Sequence, residues 1–188
     1  PMIRSLCALL LFASATVSTF AQVVTSNPLF PADDDAVTLT YNAAEGNQAL
    51  KDFAGDVYIH TGVITNLSTS PSDWKHVVTT WGSTNAAHKL TPLGNNLYSF
   101  YIPDIRTYYN VPVAETILKL AMVFRNADGS LVGRNADGSD IFYDVWDGVT
   151  LQTTFLEPAI SPVFVALNES LQTTFITSKP VTITLFSN

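Results

Sequence analysis

The hydrophobic residues of this chain recur with a period of two in short runs that are separated by Gly, Pro, Asn, Asp and Ser. Between residues 37 and 41, for example, apolar side chains alternate with threonine. Such alternation, bounded by turn residues, is typical of antiparallel β-strands. The pattern predicts strands over residues 37–41, 57–63, 75–81, 97–102, 117–125, 140–146 and 182–186.

Helical spacing is nearly absent from the sequence. We predict one short helical turn over residues 104–109, because Pro103 precedes it and Pro112 follows it. Many short strands joined by turns, with apolar residues making up 47% of the chain, are typical of a two-layer fold with a packed core. The predicted fold class is therefore all-β, an immunoglobulin-like antiparallel β-sandwich.

The first residues have the order of a secretory signal peptide. Arg4 gives a short basic start, residues 6–17 form an apolar run, and small residues end the segment before Gln22. The apolar run is shorter than the roughly 20 residues that a membrane-spanning helix needs. We therefore predict a signal peptide over residues 1–21, export to the periplasm, the cell surface or the medium, and no membrane insertion once the signal is removed.

The remainder divides into two predicted domains. Residues 22–147 contain enough strands for one sandwich, and residues 148–188 begin a new set of β-type runs. Two or three strands without a partner sheet are marginal in water. The second segment is thus predicted to be the start of a second, truncated sandwich. The alternative is that residues 160–186 complete the first sheet.

Charge and cysteine content exclude several classes of partner. The chain has a net charge of −7, and the predicted signal peptide holds one of its few cations, Arg4. Nucleic-acid binding needs clustered Lys and Arg, and no cationic amphipathic stretch is present that would favour a membrane surface. Cys7 is the only cysteine and lies in the signal peptide, so the exported chain can form neither a disulfide nor a thiolate zinc site.

One hexapeptide occurs twice, as Arg-Asn-Ala-Asp-Gly-Ser at residues 125–130 and again at 134–139. Asn, Asp and Gly tolerate the backbone conformations of tight turns, so two turns are predicted. The alternative is a calcium site formed by Asp128, Asp137 and Asp140, although the repeat lacks the alternating acids and closing glutamate of an EF-hand loop. We predict no cofactor and keep calcium as the open alternative.

Catalytic motifs are missing from the sequence. There is no Gly-x-Ser-x-Gly elbow, no His-Glu-x-x-His and no glycine-rich phosphate loop. The three histidines, His60, His76 and His88, do not have the spacing of metal ligands on one helix. This segment is therefore predicted to be non-catalytic.

The aromatic residues give a better indication of function. Alternation along residues 57–63 places the valines and Ile59 on one face and Tyr58 and His60 on the opposite, solvent-facing side. Trp74 follows a polar loop, and Trp81 precedes a glycine. Exposed rings among polar residues suit carbohydrates, whose C–H faces stack on aromatic rings while their hydroxyls form hydrogen bonds. Tyr58, His60, Trp74 and Trp81 are the predicted binding residues, with core packing as the open alternative for both tryptophans.

Several motifs also resemble a known group of proteins. They are Gly-Asp-Val-Tyr-Ile-His-Thr-Gly-Val-Ile-Thr-Asn at 55–66, Asp-Trp-Lys at 73–75, Trp-Gly at 81–82, Leu-Ala-Met-Val-Phe-Arg-Asn at 120–126 and Gly-Ser-Asp-Ile-Phe-Tyr-Asp at 138–144. They resemble the N-terminal sandwich modules that precede the catalytic domain in secreted α-amylase-family enzymes of Bacteroidetes-type bacteria. The resemblance implies a non-catalytic module that binds α-glucan, such as starch or maltooligosaccharide, beside a catalytic domain of the same parent chain. A structural spacer domain without a ligand is the alternative.

Overall fold

The computed structural model describes residues 22–157, 172–182 and 184. Almost all regular structure in this part of the chain is β-strand, with one α-helix, α1 (Ile105–Tyr108), and one 3₁₀ turn (Ala86–His88). The strands are β1 (Val24–Asn27), β2 (Val37–Asn42), β3 (Tyr58–Thr65), β4 (Thr91–Gly94), β5 (Leu97–Ile102), β6 (Ile117–Arg125), β7 (Val132–Gly133), β8 (Ile141–Asp144), β9 (Thr153–Glu157) and β10 (Thr174–Thr177).

Two antiparallel sheets face each other and confirm the predicted β-sandwich. The first sheet has the strand order β1-β2-β5-β4. In the second sheet β6 is central, with β3 along one edge and both β7 and β8 along the other. Tyr41 of β2 stacks on Phe124 of β6 with ring centroids 3.9 Å apart, so side chains from both sheets meet in one core.

Four of the strongest β-type runs form strands, as predicted. Strands β2, β3, β5 and β6 lie where the pattern placed them, and Val57, Ile59 and Val63 are buried in the core. The predicted helical turn is also confirmed. The Asp104 carboxylate caps α1 by accepting a hydrogen bond from the Thr107 amide at 2.6 Å.

The prediction of a strand over residues 75–81 is wrong. His76 has a φ of 49°, and this left-handed conformation interrupts any extended run. Only Lys75 forms a bridge to β3, opposite Val63, and Val78 adds one backbone hydrogen bond to Thr61. The segment resembles a strand in sequence because it is rich in β-branched residues, and the consecutive residues Val77, Val78 and Thr79 contact β3 or the core although the backbone does not extend the sheet.

The edge strand beside β6 is interrupted. Val132 and Gly133 of β7 pair with one end of β6, and Ile141 of β8 resumes the pairing at Met122. The intervening residues, 134–140, loop out of the sheet. Strands β7 and β8 are therefore two halves of one edge strand, and the second copy of the repeated hexapeptide forms the interruption.

The ends of the chain are described only in part. The predicted signal peptide, residues 1–21, lies outside the described residues, as does most of the predicted strand at 182–186. Strands β9 and β10 pair antiparallel with each other and form a separate sheet. In the described ranges, no helix has the length and apolar character needed to cross a bilayer.

Candidate functional site

Three aromatic side chains meet on the outer face of the second sheet. The His60 ring, on β3, lies 5.9 Å from the Trp74 ring in a stacked arrangement and 5.2 Å from the Trp81 ring in an edge-on arrangement. His60 and Trp74 are half-buried, whereas Trp81 is 47% exposed. The structure thus brings together three of the four residues that the sequence predicted for a binding face.

Tyr58 does not belong to the exposed part of this face. It points away from the core, as strand alternation requires, but it is only 5% exposed because the Arg125 guanidinium lies 5.3 Å from its ring centroid. The prediction that the Tyr58 ring is exposed to solvent is wrong. Strand alternation does not indicate that a buried cation covers the ring.

Arg125 connects Tyr58 to the exposed indole. Its guanidinium lies 5.7 Å from the Trp81 ring centroid and donates hydrogen bonds to the carbonyl oxygens of Ser83, Asn126 and Ala127. The side chain is 1% exposed. Cation–π contact and buried hydrogen bonds therefore fix the inner side of the Trp81 indole.

The turn formed by the first hexapeptide copy supports the same indole. A Cβ atom on Gly129 would lie 2.9 Å from Trp81 Nε1, so only glycine allows the turn to approach the ring this closely. Gly129 also has a φ of 75°, which favours glycine. The first copy of the repeat is thus part of the wall behind Trp81.

The segment between the two tryptophans lies close against β3. A Cβ atom on Gly62 would be 2.8 Å from the Lys75 carbonyl oxygen and 2.9 Å from Val77, so the absence of a side chain at Gly62 permits this contact. Thr79 Oγ1 accepts a hydrogen bond from the Thr61 amide and lies 2.7 Å from His60 Nδ1. Thr79 therefore fixes the orientation of the imidazole.

A buried carboxylate anchors this segment from the other side. Glu115 Oε1 accepts a hydrogen bond of 2.5 Å from the Thr65 hydroxyl, and Glu115 Oε2 lies 2.9 Å from His76 Nε2. Glu115 is buried, and His76 is the residue with the left-handed backbone conformation. The pair attaches the loop that carries Trp74 to the end of β3.

These contacts predict an acid-sensitive anchor. The hydrogen bonds from Thr65 and His76 lower the pKa of Glu115 from its usual 4.5. A carboxylate with a lowered pKa stabilises the folded state above the unfolded-state pKa, and this contribution is lost as the pH falls through the folded-state value. We expect Glu115→Gln to be less stable than the wild type at pH 7, with the difference shrinking as the pH falls below about 4.5.

Thermal unfolding followed by circular dichroism at pH 7 and at decreasing pH measures this difference. Glu45→Gln, in the turn after β2, is the matched control and should follow the wild-type dependence. If the midpoints of thermal unfolding of Glu115→Gln and the wild type differed by the same amount at every pH, the ionised Glu115 would not be the acid-sensitive anchor.

Polar side chains line an open groove beside the rings. The groove has a volume of about 600 Å³, and its lining includes His60, Trp74, Trp81 and the charged residues Asp73, Arg134 and Asp140. Arg134 and Asp140 stand at the two ends of the loop between β7 and β8, and their side chains form an ion pair. Arg134 was not predicted as a site residue, because strand alternation does not indicate which way an interrupting loop points.

The acidic and basic side chains that line the groove have ion-pair partners. Asp73 pairs with Lys75 at 2.8 Å, and this contact, with hydrogen bonds from Thr69, lowers the pKa of Asp73 to about 2. Burial, and secondarily the nearby Arg125, lowers the pKa of His60, so its ring is predominantly uncharged at neutral pH. Asp140 is compensated by Arg134.

The two hexapeptide copies form matching turns, as predicted. In each turn the Asp side chain accepts hydrogen bonds from the backbone and hydroxyl of the Ser two residues later: Asp128 from Ser130 and Asp137 from Ser139. Asp140 instead pairs with Arg134. Across the described ranges, no three His, Cys, Asp or Glu residues come together as a metal site would require.

Comparison with known protein families identifies the family of this domain. A family model described as a domain of unknown function, DUF8578, matches residues 24–132. This chain belongs to the DUF8578 family. No curated protein matches the chain. The part of the DUF8578 domain covered by the match contains His60, Trp74, Trp81 and Arg125, and it ends before Arg134.

The site offers surface and hydrogen bonds for a ligand. Its half-exposed indole, imidazole and paired charges provide an apolar platform with hydrogen-bonding groups beside it. Trp74 Nε1 is buried and has no hydrogen-bond partner among the described residues, which is an energetic cost. The cost is compatible with a ring fixed mainly by its packing against His60.

Proposed function

We propose that this DUF8578 domain is a non-catalytic carbohydrate-binding module. The observation that supports the proposal is the convergence of Trp74, His60 and Trp81 on one open groove, beside the side chains of Arg134 and Asp140. Sugar rings combine an apolar face with a polar edge, and this groove presents both kinds of surface.

The expected binding strength is modest. A sugar ring on one indole face removes roughly 60 Å² of apolar surface from water, worth about 1.5 kcal/mol at about 25 cal/mol per Å². Two ring contacts and one or two hydrogen bonds of about 1 kcal/mol each give about 4–5 kcal/mol. This corresponds to a near-millimolar dissociation constant, which suits a module that holds an enzyme near a polymer.

We propose α-glucan as the ligand and an exported α-amylase-family enzyme as the parent protein. Both parts of this proposal rest on the resemblance of the motifs at 55–66, 73–75 and 120–126 to modules of such enzymes. The domain would then act outside the cytoplasm, next to a catalytic domain of the same chain. The competing function is a spacer domain that positions another domain and binds no ligand.

Affinity electrophoresis in native gels containing soluble starch tests the proposal. We expect the protein to be retarded, Trp81→Ala to weaken the retardation about tenfold through loss of one ring contact, and Trp74→Ala to abolish it. Tyr101→Ala is the matched control, because Tyr101 is an aromatic residue that is 60% exposed on the first sheet. It should migrate as the wild type does.

Circular dichroism of each variant separates a lost ligand contact from a lost fold. A folded wild-type protein that is not retarded by starch, glycogen or pullulan would contradict the α-glucan assignment, and failure with a wider panel of neutral polysaccharides would leave the spacer function. If Trp81→Ala and Tyr101→Ala changed the retardation by starch equally, the groove would not be the binding surface.

A further inference from the structure

We propose that the ion pair between Arg134 and Asp140 is the specificity element of the groove, and that it selects neutral sugars with adjacent hydroxyl groups over acidic ones. The inference rests on the proposed carbohydrate-binding function and adds a ligand class and two residues to it. Neither residue lies within the part matched by the DUF8578 model.

The geometry of the pair fits an adjacent diol. Arg134 Nη1 donates to Asp140 Oδ1, and the described residues supply no further recorded partner for Arg134 Nη2 or Asp140 Oδ2. The two side chains are 33% and 25% exposed, so a ligand in the groove can reach them. One hydroxyl of a diol can accept from Arg134 Nη2 while its neighbour donates to Asp140 Oδ2, because guanidinium groups only donate and carboxylates only accept.

The backbone holds this pair in place. The Asn47 side chain donates to the Val132 carbonyl oxygen at 2.8 Å and accepts from the Arg134 amide at 3.1 Å, and the Asn47 amide donates to the Arg134 carbonyl oxygen at 3.0 Å. At the other end of the loop, the Asn135 side chain donates to the Asp140 carbonyl oxygen at 2.8 Å. Both charged side chains therefore project from fixed positions, which is what selective recognition needs.

Charge compensation gives the preference for neutral ligands. Asp140 neutralises Arg134, and Lys75 neutralises Asp73, so each charged side chain that lines the groove has an ion-pair partner, while the buried Arg125 lies behind the Trp81 ring. A uronate or sulfate group would have to compete with Asp140 for Arg134 and would lie near both carboxylates. A neutral hydroxyl pair can instead donate to Asp140 and accept from Arg134 without breaking the ion pair.

The two copies of the hexapeptide thus have different roles despite matching turns. Gly129 in the first copy contacts Trp81 from behind, whereas the second copy interrupts the edge strand and places Arg134 beside the groove.

The test compares soluble starch with polygalacturonate in affinity gels of the wild type, Asp140→Asn and Arg134→Lys, with mobilities normalised to gels without polymer. Starch binding should weaken about tenfold in both variants, because each loses a hydrogen bond involving a charged group. Asp140→Asn should also gain measurable binding to polygalacturonate, because Arg134 is left uncompensated. Arg134→Lys should not, because it keeps the ion pair but loses the planar guanidinium.

Lys119 and Asp144 provide the matched controls, since they form an exposed ion pair on the same sheet, with Nζ 2.8 Å from Oδ1, and do not line the groove. Asp144→Asn and Lys119→Gln should bind both polymers as the wild type does. If the wild type binds starch and Asp140→Asn matches Asp144→Asn on both polymers, the specificity role is overturned while carbohydrate binding stands. Tighter wild-type binding to polygalacturonate than to starch also overturns it. A wild type that binds no carbohydrate overturns both proposals.

Discussion

Replacing Gly133 by alanine should destabilise the domain by about 3 kcal/mol, at the upper end of the usual cost of overpacking a core. The new Cβ atom would lie 2.1 Å from Tyr41 Oη and 2.9 Å from Tyr41 Cζ. Tyr41 is 1% exposed and stacked on Phe124, so it has little room to move away. Urea unfolding followed by circular dichroism measures the loss.

A double-mutant cycle shows whether Tyr41 is the cause. Tyr41 Oη is buried without a hydrogen-bond partner in the described part of the chain, so Tyr41→Phe alone should change stability little or increase it. Gly133→Ala should cost less in the Tyr41→Phe background, because the nearest clashing atom is gone. An equal cost in both backgrounds, or a cost below about 0.5 kcal/mol in the wild type, would contradict this close contact.

Arg125→Met should also destabilise the domain by about 3 kcal/mol. Methionine can fill much of the volume, but the carbonyl oxygens of Ser83, Asn126 and Ala127 lose their shared donor. The Trp81 ring loses its cationic partner as well. Tryptophan fluorescence should therefore change together with the midpoint of urea unfolding.

The matched control is Lys119→Met on the same strand. The Lys119 side chain is largely solvated and pairs only with the exposed Asp144, so its loss should change stability by no more than about 0.5 kcal/mol. The loss of stability caused by Arg125→Lys should lie between those of Arg125→Met and Lys119→Met, because lysine keeps the charge but cannot donate to three carbonyl groups at once. An Arg125→Met protein as stable as Lys119→Met would mean that the buried cation does not hold the Trp81 wall.

The sequence predicted the centre of the fold better than its edges. Strand β2 has one face in the core along its whole length, so its buried residues alternate with partly exposed ones and give a clear period of two. Strand β7 is only two residues long, and β4 is exposed throughout, so neither carries that signal. Residues 75–81 are rich in β-branched residues but do not form a strand, because His76 has a left-handed backbone conformation and only Lys75 and Val78 form backbone hydrogen bonds to β3.

The site was partly predictable for the same reason. Strand alternation correctly directed His60 outward, and the loop position of Trp74 brought its ring beside it. Tyr58 is buried because Arg125, a residue distant in sequence, covers its ring. The sequence pattern indicates only that Arg125 is a charged residue at the end of a strand. Arg134 was missed because the repeat indicates a turn but does not indicate that the turn interrupts a strand beside the groove.

The interrupted edge strand has a consequence for how these domains coexist at high concentration. An unbroken edge would present a continuous row of free backbone groups to which another chain could add a strand. Here the exposed edge consists of β7 and β8, two short segments separated by a projecting loop. Neighbouring molecules would therefore find no long template for sheet extension along this edge of the second sheet, and the same loop that borders the groove would protect this edge from aggregation.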